Sequence, residues 1–391
     1  MWGDRATSDP GDLHEYANRE WNGLMADFYV PRWQKWLDEL EDALAAGRAP
    51  AAVDWFAFEE PWTRERKDYP LRPVGDAYKT AARVRDVLAR APYQGSLTVT
   101  AQPSAFPPGG HARVEAAFRN VNGLRATGRV DFTLTGIDAA PEGSTSLSRV
   151  APAGKGTVRW QASAPGTPLD RPLRPLPYTL SVRYGPQGED RVTSVHEGTL
   201  FEAGPLGDGW KTVTNNAAVF GQLGDRYAID GAGADLWKGT TEFGSAYRER
   251  AFTEGSSAEV RVTAQAATGA WARAGVIVRN SLATPGSTGF LNLSVTPSNG
   301  VVLSYDTNGD GTLDTYKRVT GIKAPVTLRL TRSGGSYTGT FSTDDGATWR
   351  TVATVAVPGA AETQDVGLFM TATNGGGGAR GTVEFTGWRL G

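Results

Sequence analysis

The sequence contains no cysteine. That absence excludes disulfide bonds, thiol nucleophiles and any cysteine-ligated zinc site, and it leaves the compartment open. An excess of one charge sign is also missing: 40 basic residues stand against 42 acidic ones, a net charge of −2. Neither nucleic acid nor an anionic membrane surface is therefore suggested as a partner. No apolar run reaches membrane-spanning length. The opening Met1-Trp2-Gly3-Asp4 lacks the basic start, apolar stretch and small-residue cleavage site of a signal peptide. The chain enters its best-patterned helical run almost at once, as the middle of a longer protein would.

What the sequence has is length and two contrasting periodicities. Its 391 residues imply about two to four domains. From Leu13 to Leu44 the apolar spacing is helical. Trp21, Leu24, Met25, Phe28 and Tyr29 fill one arc, while Gly23, Ala26 and Val30 form a second, small-sided one. A surface helix is apolar on one face only, so this one asks for partners on two. Pro31 kinks it or starts a second helix, which carries Trp33, Trp36, Leu37, Leu40 and Leu44 on one face. A last helix is expected from Asp76 to Ala91.

Residues Trp2-Gly3, Tyr16 to Trp21, Gly23-Leu24, Phe28-Tyr29, Pro31-Arg32-Trp33, Tyr69-Pro70 and Gly75-Asp76 stand in an ordered set. It resembles the end of the alpha-N-acetylglucosaminidases, glycoside hydrolase family 89. The resemblance covers residues 1–92 and implies the tail of that family's all-helical C-terminal domain. In the family two catalytic glutamates lie in a (β/α)₈ barrel N-terminal to that domain, so no position here inherits either role. The missing barrel would supply what the two-faced helix lacks. On this reading Asn18 and Trp21 wall the sugar pocket; the alternative is that both are core, with Asn18 a satisfied buried amide. Glu59 and Glu60 are adjacent, and adjacent carboxylates rarely face each other across a glycosidic bond.

After Pro92 the 49 glycines and 23 prolines concentrate and the period changes to alternation. Over residues 93–200, Leu97/Val99/Ala101, Val114/Ala116/Phe118, Val130/Phe132/Leu134, Val158/Trp160 and Leu180/Val182/Tyr184 predict about seven short strands of an immunoglobulin-like sandwich. The pattern is similar to the NEW3-type spacers of secreted glycosidases. His111 and His196 have no partner at ligand spacing.

Residues 201–391 alternate in longer strands and predict a two-sheet jelly roll. The run from Trp271 to Arg279 is similar to concanavalin-like laminin-G and glucanase modules. Ser342, Asp344, Gly346, Thr348 and Trp349 fit an Asp-box, a hairpin staple without catalytic role. Asp306, Asn308, Asp310, Thr312 and Asp314 fit the start of a calcium loop, with Lys317 where an EF-hand has its bidentate glutamate. The run binds calcium as a structural ion or is an ordinary Asp/Asn/Gly hairpin turn. Trp210, Trp237, Tyr247 and Trp271 are candidates for stacking on glycan rings; the alternative for each is packing inside the sandwich.

The expected whole is a multi-domain chain: a short all-α segment, an immunoglobulin-like sandwich and a concanavalin-like jelly roll. It reads as the C-terminal accessory fragment of a secreted, extracellular alpha-N-acetylglucosaminidase-like hydrolase. Its partners would be a glycan and the N-terminal catalytic barrel, and alone it would be inactive. The rival is a free-standing carbohydrate-binding protein with a helical adaptor.

Overall fold

A computed structural model describes Lys35 and residues 95–121, 126–186, 191–373, 375 and 378–391. The helices expected within residues 1–92 lie outside the described residues, except that Lys35 is helical. The elements from Gly95 onward are β-strands.

The first sandwich runs from Gly95 to Ala203. Its strands are β1 (Gly95–Gln102), β2 (Ala105–Phe106), β3 (His111–Asn120), β4 (Val130–Thr135) and β5 (Ala139–Pro141). They continue as β6 (Ser146–Leu147), β7 (Lys155–Ser163), β8 (Leu173–Tyr184) and β9 (Val192–Ala203). One sheet has the order β1-β3-β7-β5 and the other β2-β9-β8-β4-β6. The alternation legible in the sequence is the reason: β3 and β7 bury every second residue. Val114, Ala116, Phe118, Val158 and Trp160 meet Phe132, Leu180, Val182 and Leu200 from the facing sheet. Fully buried Phe118, Leu180 and Leu200 contribute about 1.5–3 kcal/mol each.

Strand β9 runs past residue 200, and its last four residues are buried. They dock on the next unit, where Leu173, Phe201 and Ala203 pack with Val219 and Ala228. Backbone bonds stitch the junction: Gly204 N donates to Pro172 O at 2.9 Å, and Gln222 N donates to Gly204 O at 2.9 Å.

The second sandwich begins with β10 (Lys211–Thr214), β11 (Val219–Leu223), β12 (Arg226–Gly231), β13 (Leu236–Trp237) and β14 (Thr240–Thr241). There follow β15 (Gly244–Phe252), β16 (Ser257–Gln265), β17 (Arg273–Arg279), β18 (Leu291–Thr296), β19 (Gly300–Tyr305) and β20 (Thr315–Val319). It closes with β21 (Val326–Ser333), β22 (Ser336–Ser342), β23 (Arg350–Ala356), β24 (Gln364–Thr371) and β25 (Gly381–Leu390). Two seven-stranded sheets face each other in a jelly-roll-like sandwich, ordered β10-β15-β24-β17-β18-β19-β20 and β11-β12-β25-β16-β21-β22-β23.

The first of these sheets is covered on both sides. Residues of β17, β18, β19 and β24 are buried throughout. Ala274, Val276, Val278, Leu293, Leu303 and Leu368 point to the facing sheet. Ile277 and Phe369 point the other way, into a second cluster with Leu236, Phe243, Leu282, Phe290 and Leu313. That cluster brings together the β13–β14 hairpin, the segment after β17 and the loop after β19, which roof the outer face.

Candidate functional site

The hairpin in the roof is short because its turn is tight. Lys238 and Gly239 have φ of 41° and 83°, the two positive values that a two-residue turn matching strand twist requires. It pairs Trp237 with Thr240 and lifts the indole over the outer face. Tyr316, on edge strand β20, lies opposite Ser304 in the register, and so on that same face. Trp271, just before β17, completes the group. Tyr316 stands edge-on between the two indoles, its centroid 5.4 Å from Trp237 and 5.4 Å from Trp271.

Two arginines thread this aromatic group. Arg273 is 3% exposed, with its guanidinium 5.8 Å from the Trp237 centroid and 6.0 Å from that of Trp271. Its Nη1 donates to Leu236 O and, at 3.4 Å, to Asp235. Burial pushes the Arg273 guanidinium below its usual range, and Asp235 opposes that shift. Arg318 is exposed and lies 5.5 Å from Trp271 and 5.9 Å from Tyr316. Cations over indole and phenol rings gain about 0.5–2 kcal/mol.

The same outer face carries polar groups on two rungs of the sheet. Register places Asn292 beside Ser304 and Ile277, and Arg273 beside Thr371. Their chain neighbours Leu291, Leu293, Leu303, Ala274 and Met370 all point to the sandwich core, so these side chains face outward, under the roof. Arg273 Nε, Asn292 Nδ2, Ser304 Oγ and Thr371 Oγ1 are buried without a hydrogen-bond partner. Asn292 spends its oxygen on Ser294 Oγ at 3.2 Å. A buried polar group without a partner costs about 1–3 kcal/mol, and four on one face call for a cause.

The four stacking candidates therefore separate. Trp237 and Trp271 come together; Trp210 and Tyr247 do not. Tyr247 is 3% exposed and packs with Phe243, Ile277 and Phe369, so it offers no ring face to a ligand. Trp210 is wedged between Tyr227 at 5.3 Å and Trp388 at 5.4 Å, with Arg248 over its face at 4.6 Å. Its neighbours occupy the surface a sugar would need. Tyr316, Arg273, Arg318, Asn292 and Ser304 escaped the sequence reading, because only cross-strand register joins them. Asn18 and Trp21 lie outside the described residues.

The Asp306–Asp314 run is a ladder of side-chain turns. Buried Asp306 accepts from the amides of Asn308, Gly309 and Gly311 at 3.1, 2.7 and 2.8 Å. Asn308 accepts from Asp310 N, and Asp310 from Thr312 N. Asp314 accepts from the Thr307 hydroxyl at 2.7 Å. Arg279 donates from Nη2 to Gly311 O at 2.9 Å and from Nε to Ser287 O. Burial lowers its pKa to about 10, opposed by the charge of Asp306. A calcium ion here would compete with amides for the same carboxylate oxygens, beside a guanidinium.

The Asp-box closes the β22–β23 turn as its spacing predicts. Ser342 and Thr348 hydroxyls donate to Asp344 at 2.7 and 2.6 Å, and Thr348 N donates at 2.9 Å. Arg329 stacks 3.7 Å from the centroid of half-buried Trp349.

Residues 1–86 match the family model of the alpha-N-acetylglucosaminidase C-terminal domain. Human alpha-N-acetylglucosaminidase is 30% identical over 88 residues, 22% of this chain and 11% of that protein. The chain thus spans about a tenth of the length of this relative. Among solved structures, a Saccharomyces cerevisiae protein of unknown function covers 47% of this chain and 96% of its own, with 17% identity and TM-score 0.38. The GH43 protein BlXynB of Bacillus licheniformis covers 75% of this chain and 64% of its own, with 12% identity and TM-score 0.36.

Proposed function

We propose that the chain is an accessory part of a secreted, alpha-N-acetylglucosaminidase-like glycoside hydrolase, and that its second sandwich binds glycan. The first sandwich, in this reading, is a NEW3-type immunoglobulin-like spacer. The second is a concanavalin-like module, and residues 1–92 seat a catalytic barrel. The observation that carries glycan binding is the Trp237–Tyr316–Trp271 group on a sheet face that also carries four buried, unpartnered polar atoms. Sugar rings offer an apolar face to aromatics and hydroxyls to buried polar groups, the mix that ligand sites combine. The match of residues 1–86 to a domain of glycosidases supports the carbohydrate context.

A glycan-array screen of the full chain tests this, with Trp237→Ala and Trp271→Ala as controls. Binding that both variants weaken at least about tenfold is expected, since losing a ring contact forfeits about 1.5–3 kcal/mol. No binding above background, or unchanged binding by both variants, overturns it. The catalytic glutamates of the resembled family belong to the barrel, so the chain should leave an aryl alpha-N-acetylglucosaminide intact. Turnover that survives repurification would overturn that part.

A further inference from the structure

The geometry points to an acidic glycan, one bearing carboxylate or sulfate, as the ligand of this face; the inference rests on the glycan-binding reading above. Two arginines serve the group and one carboxylate answers them. Arg273 reaches Asp235 only at 3.4 Å, and Asp235 also accepts from Leu236 N at 2.7 Å. Arg318 bonds Asn299 Oδ1 at 2.8 Å and has no ion-pair partner among the described residues. Lys238 at the hairpin tip is exposed beside this face. Asp314 is turned onto Thr307, and Glu242 onto Ala234 N.

A guanidinium 3% exposed with an unpartnered Nε is an incomplete anion site. Burying a charge is costly unless an opposite charge and full hydrogen bonding compensate it. A planar carboxylate or a sulfate supplies both to Arg273 Nε, while Asn292 Nδ2 and Ser304 Oγ remain for hydroxyls. A neutral sugar would satisfy the amide and the hydroxyl but leave the guanidinium underpaired. The roof covers these atoms, so entry requires the Leu236–Thr241 hairpin to lift. It is held by the Lys238 N bond to Leu313 O, the Asn215 Nδ2 bond to Thr241 O, the Arg273 bond to Leu236 O and the packing of Leu236 in the roof cluster.

The test uses the full chain on matched glycan pairs: uronate- or sialate-terminated glycans against their carboxyl-reduced forms, and sulfated glycans against desulfated ones. Preference for the acidic member by about ten- to a hundredfold, falling as salt rises, is expected from a charge-assisted bond. Which pair shows the preference separates carboxylate from sulfate. Arg318→Gln, an exposed change that leaves the fold alone, should lose about tenfold toward the acidic member only. Arg273→Lys should lose more, because an ammonium lacks the planar fork. Equal binding of both members overturns this inference and leaves glycan binding standing. Binding of neither, in any pair, overturns both.

Discussion

Lys238 N donates to Leu313 O at 3.0 Å, tying the hairpin that carries Trp237 to the Asp306–Asp314 loop. The aromatic group is thus only as well placed as that loop is ordered. Loop order rests in turn on Asp306, whose carboxylate takes three amides.

Asp306→Ala should therefore lower stability by about 2–4 kcal/mol, the cost of stranding amides and an arginine beside a lost carboxylate. Chemical denaturation of the full chain measures it. The same variant should weaken glycan binding although Asp306 touches none of the aromatics. Stability within about 0.5 kcal/mol of the wild type would contradict the ladder's role.

Calcium should bind the loop weakly, in the range of about 10⁻⁴–10⁻³ M, because it competes with amides and with Arg279. Calcium at ten times such a dissociation constant adds about 1.4 kcal/mol by linkage. Melts in excess calcium and in chelator, with Asp310→Ala as control, decide it. Identical melts of both proteins under both conditions would remove calcium from this loop.

The Asp-box makes stability depend on pH at the acid end. Bonds from Thr348 and Ser342 hold the Asp344 carboxyl at about 2, against an ordinary 3.8. The folded value is the lower one, so the contribution is complete above 3.8 and is lost as pH falls toward about 2. Asp344→Asn should lower the melting temperature by a constant amount above that window, where the carboxylate's contribution is complete, and flatten its dependence on pH within it. A slope as steep as the wild type's would assign the dependence elsewhere.

Gly221 marks where the two sandwiches touch: a Cβ there would collide with the carbonyl oxygen of Pro172. Neighbouring backbone cannot yield as a side chain does, so Gly221→Ala should cost about 1–3 kcal/mol. It should also speed proteolysis of the connection between Ala203 and Lys211. Unchanged cleavage and melting would mean that the junction tolerates separation.

Local apolar patterning was enough to reveal most strands. Apolar runs such as Ala274–Val278 and Val301–Leu303 lie within β17 and β19, because strands covered on both faces read as near-continuous apolar stretches. The Asp-box was legible for a similar reason: its bonds join residues at most four apart. Elements with mixed or polar composition escaped notice. The hairpin of β13 and β14 has four strand residues, and β20 is mostly exposed, so neither carries a periodicity to read.

Which aromatics meet was settled by packing between distant strands and loops. Trp210, Trp237, Tyr247 and Trp271 look alike in sequence, and burial depends on what the chain lays over each one. Tyr247 ended beneath the roof and Trp210 between two rings. Trp237 and Trp271, from distant parts of the chain, met at a tyrosine placed by the pairing of β19 with β20. Register is set by the summed packing of whole strands, and no local pattern around Tyr316 encodes its two partners.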